Sequence, residues 1–338
     1  MDLNTAWFLL VGILIVGYAI LDGFDLGVGT LYYLLAKNDD EKRQLLNAIG
    51  PFWDANEVWL LTGGGALFAA FPLVYATVFS GFYLALMLVL FALIFRAVAI
   101  EFRNKDESPA WHNLWDRAFF LGSALPALLF GVALGNVLKG LPLDSQQYYT
   151  GGFFGLLNPF ALLVGVLGLA AFLQQGATYV MMKTGEPLAG RARQLLPGIW
   201  GGVVALYLAV TLFSWLVAPH LFTNFSKYPW LWLLPLLTWL AMGAVIYFGR
   251  RGQGTAAFLA SSLTMAGLVL IAAAGLYPNL VPALDPARSL TIYNASSSPL
   301  TLKVMLIIAL CGVPIVLGYT VFVHWLFRGK VKPDAQGY

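Results

Sequence analysis

Nine apolar stretches, each long enough to cross a membrane as a helix, constrain this chain more than any other feature. A helix needs about 20 apolar residues to cross the hydrocarbon core of a bilayer. The candidate spans are Ala6–Ala36, Glu57–Ala76, Phe79–Ile100, Arg117–Leu138, Phe160–Met182, Leu196–Pro219, Trp230–Phe248, Thr255–Tyr277 and Leu302–Phe327. Only 10% of the residues are charged, against about 25% in a typical soluble domain. The sequence therefore predicts an all-α integral membrane protein with nine transmembrane helices.

Basic residues are unevenly distributed over the loops that would join these spans. When the loops are assigned to alternate sides, 15 of the 19 Lys and Arg residues fall on one side. The other side holds Lys139, Lys227, Arg288 and Lys303. Because cytoplasmic loops carry an excess of Lys and Arg, we expect the N-terminus to lie outside and the C-terminus in the cytoplasm.

The composition also excludes several classes of partner and site. There are no basic tracts, so a nucleic acid is not an expected partner. The single cysteine, Cys311, excludes an intramolecular disulfide and a cysteine-held cluster.

Two carboxylates interrupt the first apolar stretch, in the sequence AILDGFDLGVG. Asp22 and Asp25 are three residues apart, so they share a helix face. Counted from Trp7 at about 1.5 Å per residue, they lie about 22–27 Å along the helix, toward the cytoplasmic end. A charge at such a depth costs about 2.5–3.5 kcal/mol on insertion scales, and it persists where it faces a wet cavity or a partner. The glycines of the same stretch allow another backbone to come close; they are Gly23, Gly27 and Gly29.

Further charged residues lie at the same predicted end of the helices. Asp54 and Glu57 open the second span in PFWDANEVWLL, where acids also suit the positive end of the helix dipole. Arg96 and Glu101 close the third span; they do not share a helix face, but we expect both to reach one cavity on the cytoplasmic side. Trp53 is one of several tryptophans expected at the membrane interface.

These acids admit two interpretations. In one, the acids of the first span pair structurally with Arg96 or Arg103, and those of the second span only complement a helix dipole. In the other, the acids form a cluster that takes up protons from the cytoplasm, because a carboxyl group in a low dielectric can load and release a proton near neutral pH. The cluster would comprise Asp22, Asp25, Asp54, Glu57 and Glu101.

Two other polar sites have structural interpretations. Asp116, with Arg117 beside it, is expected to lie at the start of the fourth helix. Gln174 and Gln175 are polar at depth in the fifth span, and we expect them to form hydrogen bonds between helices.

No redox cofactor is expected to take its ligands from this chain. Paired axial ligation of a haem needs ligands that project into the interior of a bundle. The histidines instead fall in loops or near the end of the last span: His112, His220 and His324. The chain is thus not expected to be an oxidoreductase by itself, which leaves it open to be a subunit of one.

Five stretches of the chain resemble subunit II of the cytochrome bd-type quinol oxidases. They are GYAILDGFDLGVG, IGPFWDANEVWLLTGGGALFAAFPLVYATVFSGFYLALMLVL, FRAVAIEFRNK, WHNLWDRAFFLGSALPALLFGVALGN and SLTIYNASSSPLTLKVM. The match is dense over the first 140 residues and returns at Ser289–Met305. Its most specific part is the order and spacing of GFDLGVG and WDANEVWL.

The resemblance implies an arrangement and an activity. Members of that family have nine membrane helices, in two four-helix bundles and one peripheral helix, which implies boundaries at 1–140, 155–285 and 300–338. They belong to a respiratory terminal oxidase of the bacterial or archaeal cell membrane that oxidises quinol, reduces dioxygen to water and contributes to the proton motive force. The partner, subunit I, carries two haems b, haem d and the quinol site, so this subunit would ligate no haem and hold no active site of its own.

The resemblance also implies a role for the acids. In that family, protons for water formation come from the cytoplasm through a polar channel at the subunit interface. The acids of the family's GFD and WD motifs lie on that route and match Asp25 and Asp54, and Asp22 belongs to the same motif. Some members bind a quinone in this subunit as a structural ligand; the residues of 53–71 permit a lipid equally well. A small single-helix accessory subunit is a further partner that the sequence leaves open.

Two other functions compete with this one. A proton-coupled secondary transporter acting alone would share the buried acids, but it predicts inverted repeats and paired broken helices. Here the acids crowd into the first 120 residues, and Leu195–Leu284 contains no carboxylate. A scaffold that only holds the haem-bearing subunit would differ from a proton path in one respect, namely that Asp25 and Asp54 would not matter kinetically.

Overall fold

The computed structural model describes residues 2–331, and most of these residues lie in helices that pack side by side. The first six helices are α1 (Leu3–Leu35), α2 (Asp39–Ile49), α3 (Trp53–Ala70), α4 (Pro72–Gly81), α5 (Tyr83–Phe102) and α6 (Pro109–Lys139). The next six are α7 (Pro159–Lys183), α8 (Leu188–Val217), α9 (Thr223–Lys227), α10 (Leu233–Arg250), α11 (Gly254–Leu276) and α12 (Pro299–Leu326). A short antiparallel pair is formed by β1 (Asn279–Val281) and β2 (Leu290–Thr291). Lys332 and the rest of the predicted cytoplasmic tail lie outside the described residues.

Eight of the described helices are long and apolar enough to cross a membrane: α1, α5, α6, α7, α8, α10, α11 and α12. This confirms a multi-pass helical membrane protein. The remaining predicted span corresponds to α3, whose 18 residues extend about 27 Å. That helix is less apolar because Asp54, Asn56 and Glu57 lie in its first turns. The count of nine transmembrane helices stays a prediction.

The predicted second span, Glu57–Ala76, is wrong as a single helix. The chain leaves the helical conformation at Phe71, where φ is −133° and ψ is 64°, and a new helix begins at Pro72. A proline lacks the N–H that a continuous helix needs, and it disfavours the helical conformation of the residue before it. The carbonyl of Ala70, left without a helical partner, accepts a hydrogen bond from the Ser297 N–H at 2.9 Å.

Two predicted spans begin about two turns too late. Helix α6 starts at Pro109 rather than Arg117, and α8 starts at Leu188 rather than Leu196. The added turns are polar, and hydropathy marks only the part of a helix that fits the hydrocarbon core. Asp116 therefore lies two turns inside α6, and its predicted place at the start of a helix is wrong.

Helices α1 and α7 occupy the centre of the described structure. Helix α1 packs against α3, α6, α7 and α11, whereas α7 packs against α1, α6, α8 and α11. Helix α5 packs on α6, α10 packs on α8 and α11, and α12 lies at the edge against α1 and α3. The helices assigned to two bundles thus share a long contact through α1 and α7, and the division at 1–140, 155–285 and 300–338 stays a prediction.

Charged groups gather at one end of the helices, which we call the basic end and define by Lys42, Arg103, Lys183 and Arg191. There, Lys183 Nζ donates to the carbonyl of Phe327 at 2.5 Å and so ties the end of α12 to α7. The basic end corresponds to the predicted cytoplasmic side, and the orientation of the termini stays a prediction.

The opposite end of the helices is closed by loops. The backbone N–H of Leu141 donates to the carbonyl of Pro282 at 2.9 Å, and its carbonyl accepts from Leu284 at 2.9 Å. The indole N–H of Trp7 donates to the carbonyl of Leu302 at 2.9 Å, which joins the starts of α1 and α12. Loops that are distant in the sequence thus hold the helices together at this end.

An ion pair fastens α2 to the rest of the basic end. The Arg191 guanidinium donates to the two oxygens of Glu41 at 2.6 and 3.0 Å and to the carbonyl of Leu35 at 2.6 Å. Because α1, α2 and α8 meet in this contact, it links early and late parts of the chain. The hydrogen bonds from Arg191 hold the pKa of Glu41 below its ordinary value of 4.5.

We expect Glu41→Gln to lower the thermal stability of the assembled protein near neutral pH. A carboxyl group whose pKa is lower in the folded than in the unfolded state stabilises the fold above the unfolded pKa, and this contribution disappears as the pH falls through the folded pKa. The difference in melting temperature between wild type and variant should therefore shrink at acid pH. Thermal unfolding in detergent over a pH series measures it. Glu107→Gln, at an exposed acid without a described ion pair, is the control, and a difference that does not vary with pH would contradict the ion-pair explanation.

Candidate functional site

One face of α1 carries the acids of the candidate site. Asp22 and Asp25 are both 0% exposed, and they turn toward α5 and α3. At about 1.5 Å per residue, Asp25 lies about 15 Å from Leu35, the last residue of the helix. The pair is therefore inside the bundle, nearer to the basic end than to the opposite end.

Asp22 forms a buried ion pair with an arginine of α5. The Nη2 atom of Arg96 donates to Asp22 Oδ1 at 2.5 Å, and both side chains are fully buried. The sequence left Arg96 and Arg103 open as partners, and the structure selects Arg96. Within the described residues, Asp22 Oδ2 and the Nε and Nη1 atoms of Arg96 make no hydrogen bond.

Asp25 has a neutral partner instead. The amide nitrogen of Asn56 donates to Asp25 Oδ2 at 2.8 Å and to the carbonyl of Leu21 at 3.3 Å. The other oxygen, Oδ1, has no hydrogen-bond partner in the described part of the chain. Sequence reasoning missed Asn56, although a signal exists: it is the polar residue of WDANEVWL that lies across the helix from Asp54.

The other predicted acids lie farther out. Asp54 and Glu101 are exposed on the surface of this chain, and Glu57 is half-buried and interacts electrostatically with Arg96. The expectation that Arg96 and Glu101 share one cavity is wrong. Five residues along a helix turn a side chain by about 140°, so Arg96 points into the bundle while Glu101 points away from it.

Gly27 is the point at which α1 meets the backbone of α7. A methyl group at Gly27 would overlap the carbonyl oxygen of Phe172 and lie 2.7 Å from the Gly176 nitrogen. The two backbones can touch only because both residues lack a side chain. This contact fixes α1 on the side that faces away from Asp22 and Asp25.

The remaining residues that the sequence singled out have side-chain neighbours. A methyl group at Gly23 would lie 2.9 Å from the ring of Phe172, and one at Gly29 would overlap the Ser123 side chain of α6. Trp53 is half-buried and packs against the hydrophobic core at the basic end. These glycines therefore give room to side chains, unlike Gly27.

We expect Gly27→Ala to destabilise the protein by about 1–3 kcal/mol or more, because the added methyl group overpacks a contact between two backbones. The thermal stability of the purified complex measures the effect. Gly12→Ala is a matched control on the same helix, since a methyl group there meets no atom within 4 Å. Equal stability of the two variants would contradict the close approach of α1 and α7.

A second buried acid, Asp116, organises the basic end through partners that the sequence did not indicate. Asp116 accepts from Arg103 Nε and from Lys42 Nζ, each at 2.6 Å, and from the Tyr32 hydroxyl at 2.8 Å. These partners come from α1, α2 and the segment after α5, and Tyr32 and Lys42 are distant from Asp116 in the sequence. The network holds three segments together around one buried carboxylate.

The buried amides of α7 form the predicted hydrogen bonds between helices. Gln175 Nε2 donates to Ser262 Oγ of α11 at 2.8 Å and to the carbonyl of Ile20 of α1 at 3.3 Å. This confirms their predicted structural role and joins the three helices on the side of α1 that faces away from the acids.

The described histidines do not fit paired axial ligation of a haem. His112 Nδ1 lies 3.4 Å from Asp39 at the basic end, and His324 Nδ1 is bonded to the carbonyl of Thr320. His220 lies at the opposite end, between α8 and α9. Among the residues described, no group of three or more His, Cys, Asp or Glu side chains is placed to hold a metal ion.

Comparisons with known proteins agree on one family. Residues 3–327 match the family described as cytochrome bd terminal oxidase subunit II. The chain is 41% identical to cytochrome bd-I ubiquinol oxidase subunit 2 of Escherichia coli (strain K12), over 98% of this chain and 96% of that protein. It is 38% identical to cytochrome bd ubiquinol oxidase subunit 2 of Bacillus subtilis (strain 168), over 98% and 97%. A solved structure of bd oxidase from Geobacillus thermodenitrificans matches with a TM-score of 0.80 over 97% of this chain and 99% of the matched chain; at 17% identity, this likeness shows the fold.

Proposed function

We propose a proton-conducting role for this chain, which belongs to the cytochrome bd terminal oxidase subunit II family. The chain is a subunit of a membrane-bound quinol oxidase of the bacterial respiratory chain. In our proposal, its partner, subunit I, carries two haems b and haem d, oxidises quinol and reduces dioxygen to water. This chain stabilises that subunit and lines the path by which protons enter from the cytoplasm.

The surroundings of Asp25 are the single observation that carries the proposal. Its carboxyl group is fully buried, its hydrogen bond comes from the neutral amide of Asn56, and no described cation forms an ion pair with it. An unpaired buried charge is costly, so this carboxyl group is suited to take up a proton and pass it on. Asp22, by contrast, has a cationic partner in Arg96.

The position of Asp54 supports an intake at the surface of this chain. An ionised side chain on a membrane helix needs water or a partner beside it, and Asp54 is exposed in the first turn of α3. We place this surface of α3 against subunit I. Protons then pass from the cytoplasm along a wet interface, by way of Glu101, Asp54 and Glu57, to Asp25.

The weak burial of α12 is consistent with a partner subunit. Within the most apolar 18-residue stretch of α12, only 6% of the residues are buried by the rest of the described chain. Helix α12 lies beside α3, so one subunit could cover both surfaces. In the assembled complex the outward acids would then be enclosed between two chains.

A structural scaffold is the second candidate function, and the Asp22–Arg96 pair favours it. Removing one partner of a buried ion pair is strongly destabilising because it leaves an uncompensated charge. Both candidate functions therefore predict that Asp22 is needed for assembly. Only the proton path predicts that Asp25 and Asp54 affect the rate of oxygen uptake.

We expect Asp25→Asn to lower quinol-driven oxygen uptake by at least about tenfold, since a positioned proton-transfer group typically contributes about 10²–10⁴-fold. Asp54→Asn should act in the same direction. The haem b and haem d bands should persist in both variants, because the amide keeps the shape of the carboxyl group. Oxygen uptake and reduced-minus-oxidised spectra of the complete complex measure rate and assembly.

Asp285→Asn is the control for these variants, because Asp285 is an exposed acid at the opposite end, paired with Arg288. Its rate should equal that of the wild type. If Asp25→Asn and Asp54→Asn also keep the wild-type rate, the proton path is refuted and the scaffold remains.

A further inference from the structure

We propose that the hydroxyl group of Tyr18 is the relay that carries protons from the buried acids toward the middle of the membrane. This inference rests on the proposed proton path, which ends at the acids, and it names the group by which protons leave this chain.

Tyr18 lies on the same face of α1 as the two acids. It precedes Asp22 by four residues and Asp25 by seven, which are about one and two helical turns. The three side chains therefore form one polar stripe along a helix that is otherwise apolar. Tyr18 is the member of the stripe farthest from the basic end, near the middle of α1.

The Tyr18 hydroxyl is buried without a hydrogen-bond partner. The residue is 6% exposed, and no described atom meets hydrogen-bond geometry with its hydroxyl oxygen. Asp22 lies close enough to interact directly with this hydroxyl, and the charges of Arg96 and Glu57 also act on it. A buried hydroxyl left unsatisfied costs about 1–3 kcal/mol, and buried polar groups are nearly always hydrogen-bonded. In the proposed relay, a water molecule is this partner.

The neighbouring charged side chains also have buried polar atoms that need hydrogen-bond partners. Asp22 Oδ2, Asp25 Oδ1 and two nitrogens of Arg96 are also buried without partners among the described residues. A buried water typically makes about three hydrogen bonds to such groups. One or two waters bound among these atoms would satisfy most of them and connect the acids to Tyr18.

The ring of Tyr18 is held in place, which gives its hydroxyl a fixed position. It packs edge to face against Phe130 of α6, with ring centroids 5.5 Å apart and an interplanar angle of 83°. By contrast, Tyr32 of the same helix already donates its hydroxyl to Asp116. Tyr32 is thus part of the Asp116 network, whereas the Tyr18 hydroxyl meets hydrogen-bond geometry with no described atom.

The proton balance of the step is simple. Protonated Asp25 gives its proton to a bridging water, which passes one of its own protons to the Tyr18 oxygen. The original O–H bond of Tyr18 breaks toward a second water on the far side, so the tyrosine gains no net charge. The ion pair of Asp22 with Arg96 takes no part in this transfer. Beyond Tyr18 this face of α1 is apolar, at Leu14 and Val11, so the proton leaves α1 here.

Tyr18→Phe in the complete oxidase tests the relay, because it removes the hydroxyl and keeps the ring. We expect quinol-driven oxygen uptake to fall several-fold and the ratio of rates in H2O and D2O to rise, while the KM for quinol and the haem spectrum stay unchanged. Tyr33→Phe is the matched control: it makes the same chemical change on α1, at an exposed residue, and should leave both the rate and the ratio unchanged.

The outcomes separate this inference from the proposed function. A wild-type rate in Tyr18→Phe together with a slow Asp25→Asn overturns the relay and leaves the proton path standing. A wild-type rate in Asp25→Asn overturns the proton path itself. A slow Tyr18→Phe with an unchanged H2O/D2O ratio also overturns the relay, because a merely structural change would give that result. If the variant loses its haem bands, 3,5-difluorotyrosine at position 18 changes the acidity of the hydroxyl while retaining it, and an unchanged rate would then overturn the relay.

Discussion

The contact between α1 and α7 at Gly27 and Gly176 is the constraint on which the rest of the structure depends. Both residues lack a side chain, so the two backbones touch and α1 is fixed at the centre of the described helices. The acids of α1 lie on the opposite side of the helix, toward α3 and α5. Because a helix is stiff, tight packing on one side determines where the carboxyl groups on the other side lie. In GFDLGVG, Gly27 thus fixes the position of α1 against α7, and the acids on the other side of α1 reach α3 and α5 as a result.

Two carboxyl groups one turn apart meet different environments in this arrangement. Asp22 forms an ion pair with a buried arginine, whereas Asp25 accepts a hydrogen bond from an amide and forms no ion pair with a described cation. In the proposed proton path, the pair of Asp22 with Arg96 is structural, and Asp25 is the group that exchanges a proton. This division of roles arises from neighbouring helices and not from the carboxyl groups themselves.

The basic end keeps these helices in register by a different means. Asp116 joins α1, α2 and the segment after α5, and the pair of Glu41 with Arg191 joins α2 to α8. In the bilayer, hydrophobic burial does not drive helices together, because lipid is as apolar as the side chains. Charged contacts at the helix ends therefore add to the close packing at Gly27 without placing further charges at depth.

The amino-acid sequence determined the membrane location, the helical class, the family and the position of the acids on one face of α1. Each of these features depends on residues that are close together in the sequence. Hydropathy is averaged over neighbouring residues, and the helical repeat determines which nearby side chains share a face. Even the break at Phe71 follows from an adjacent proline, which the hydropathy pattern concealed. Only the tertiary structure decided that Asp22 pairs with Arg96, 74 positions away, that Arg103 instead serves Asp116, and that Asn56 and not a cation faces Asp25. These choices depend on which faces of distant helices meet, and no local pattern in one chain contains that information.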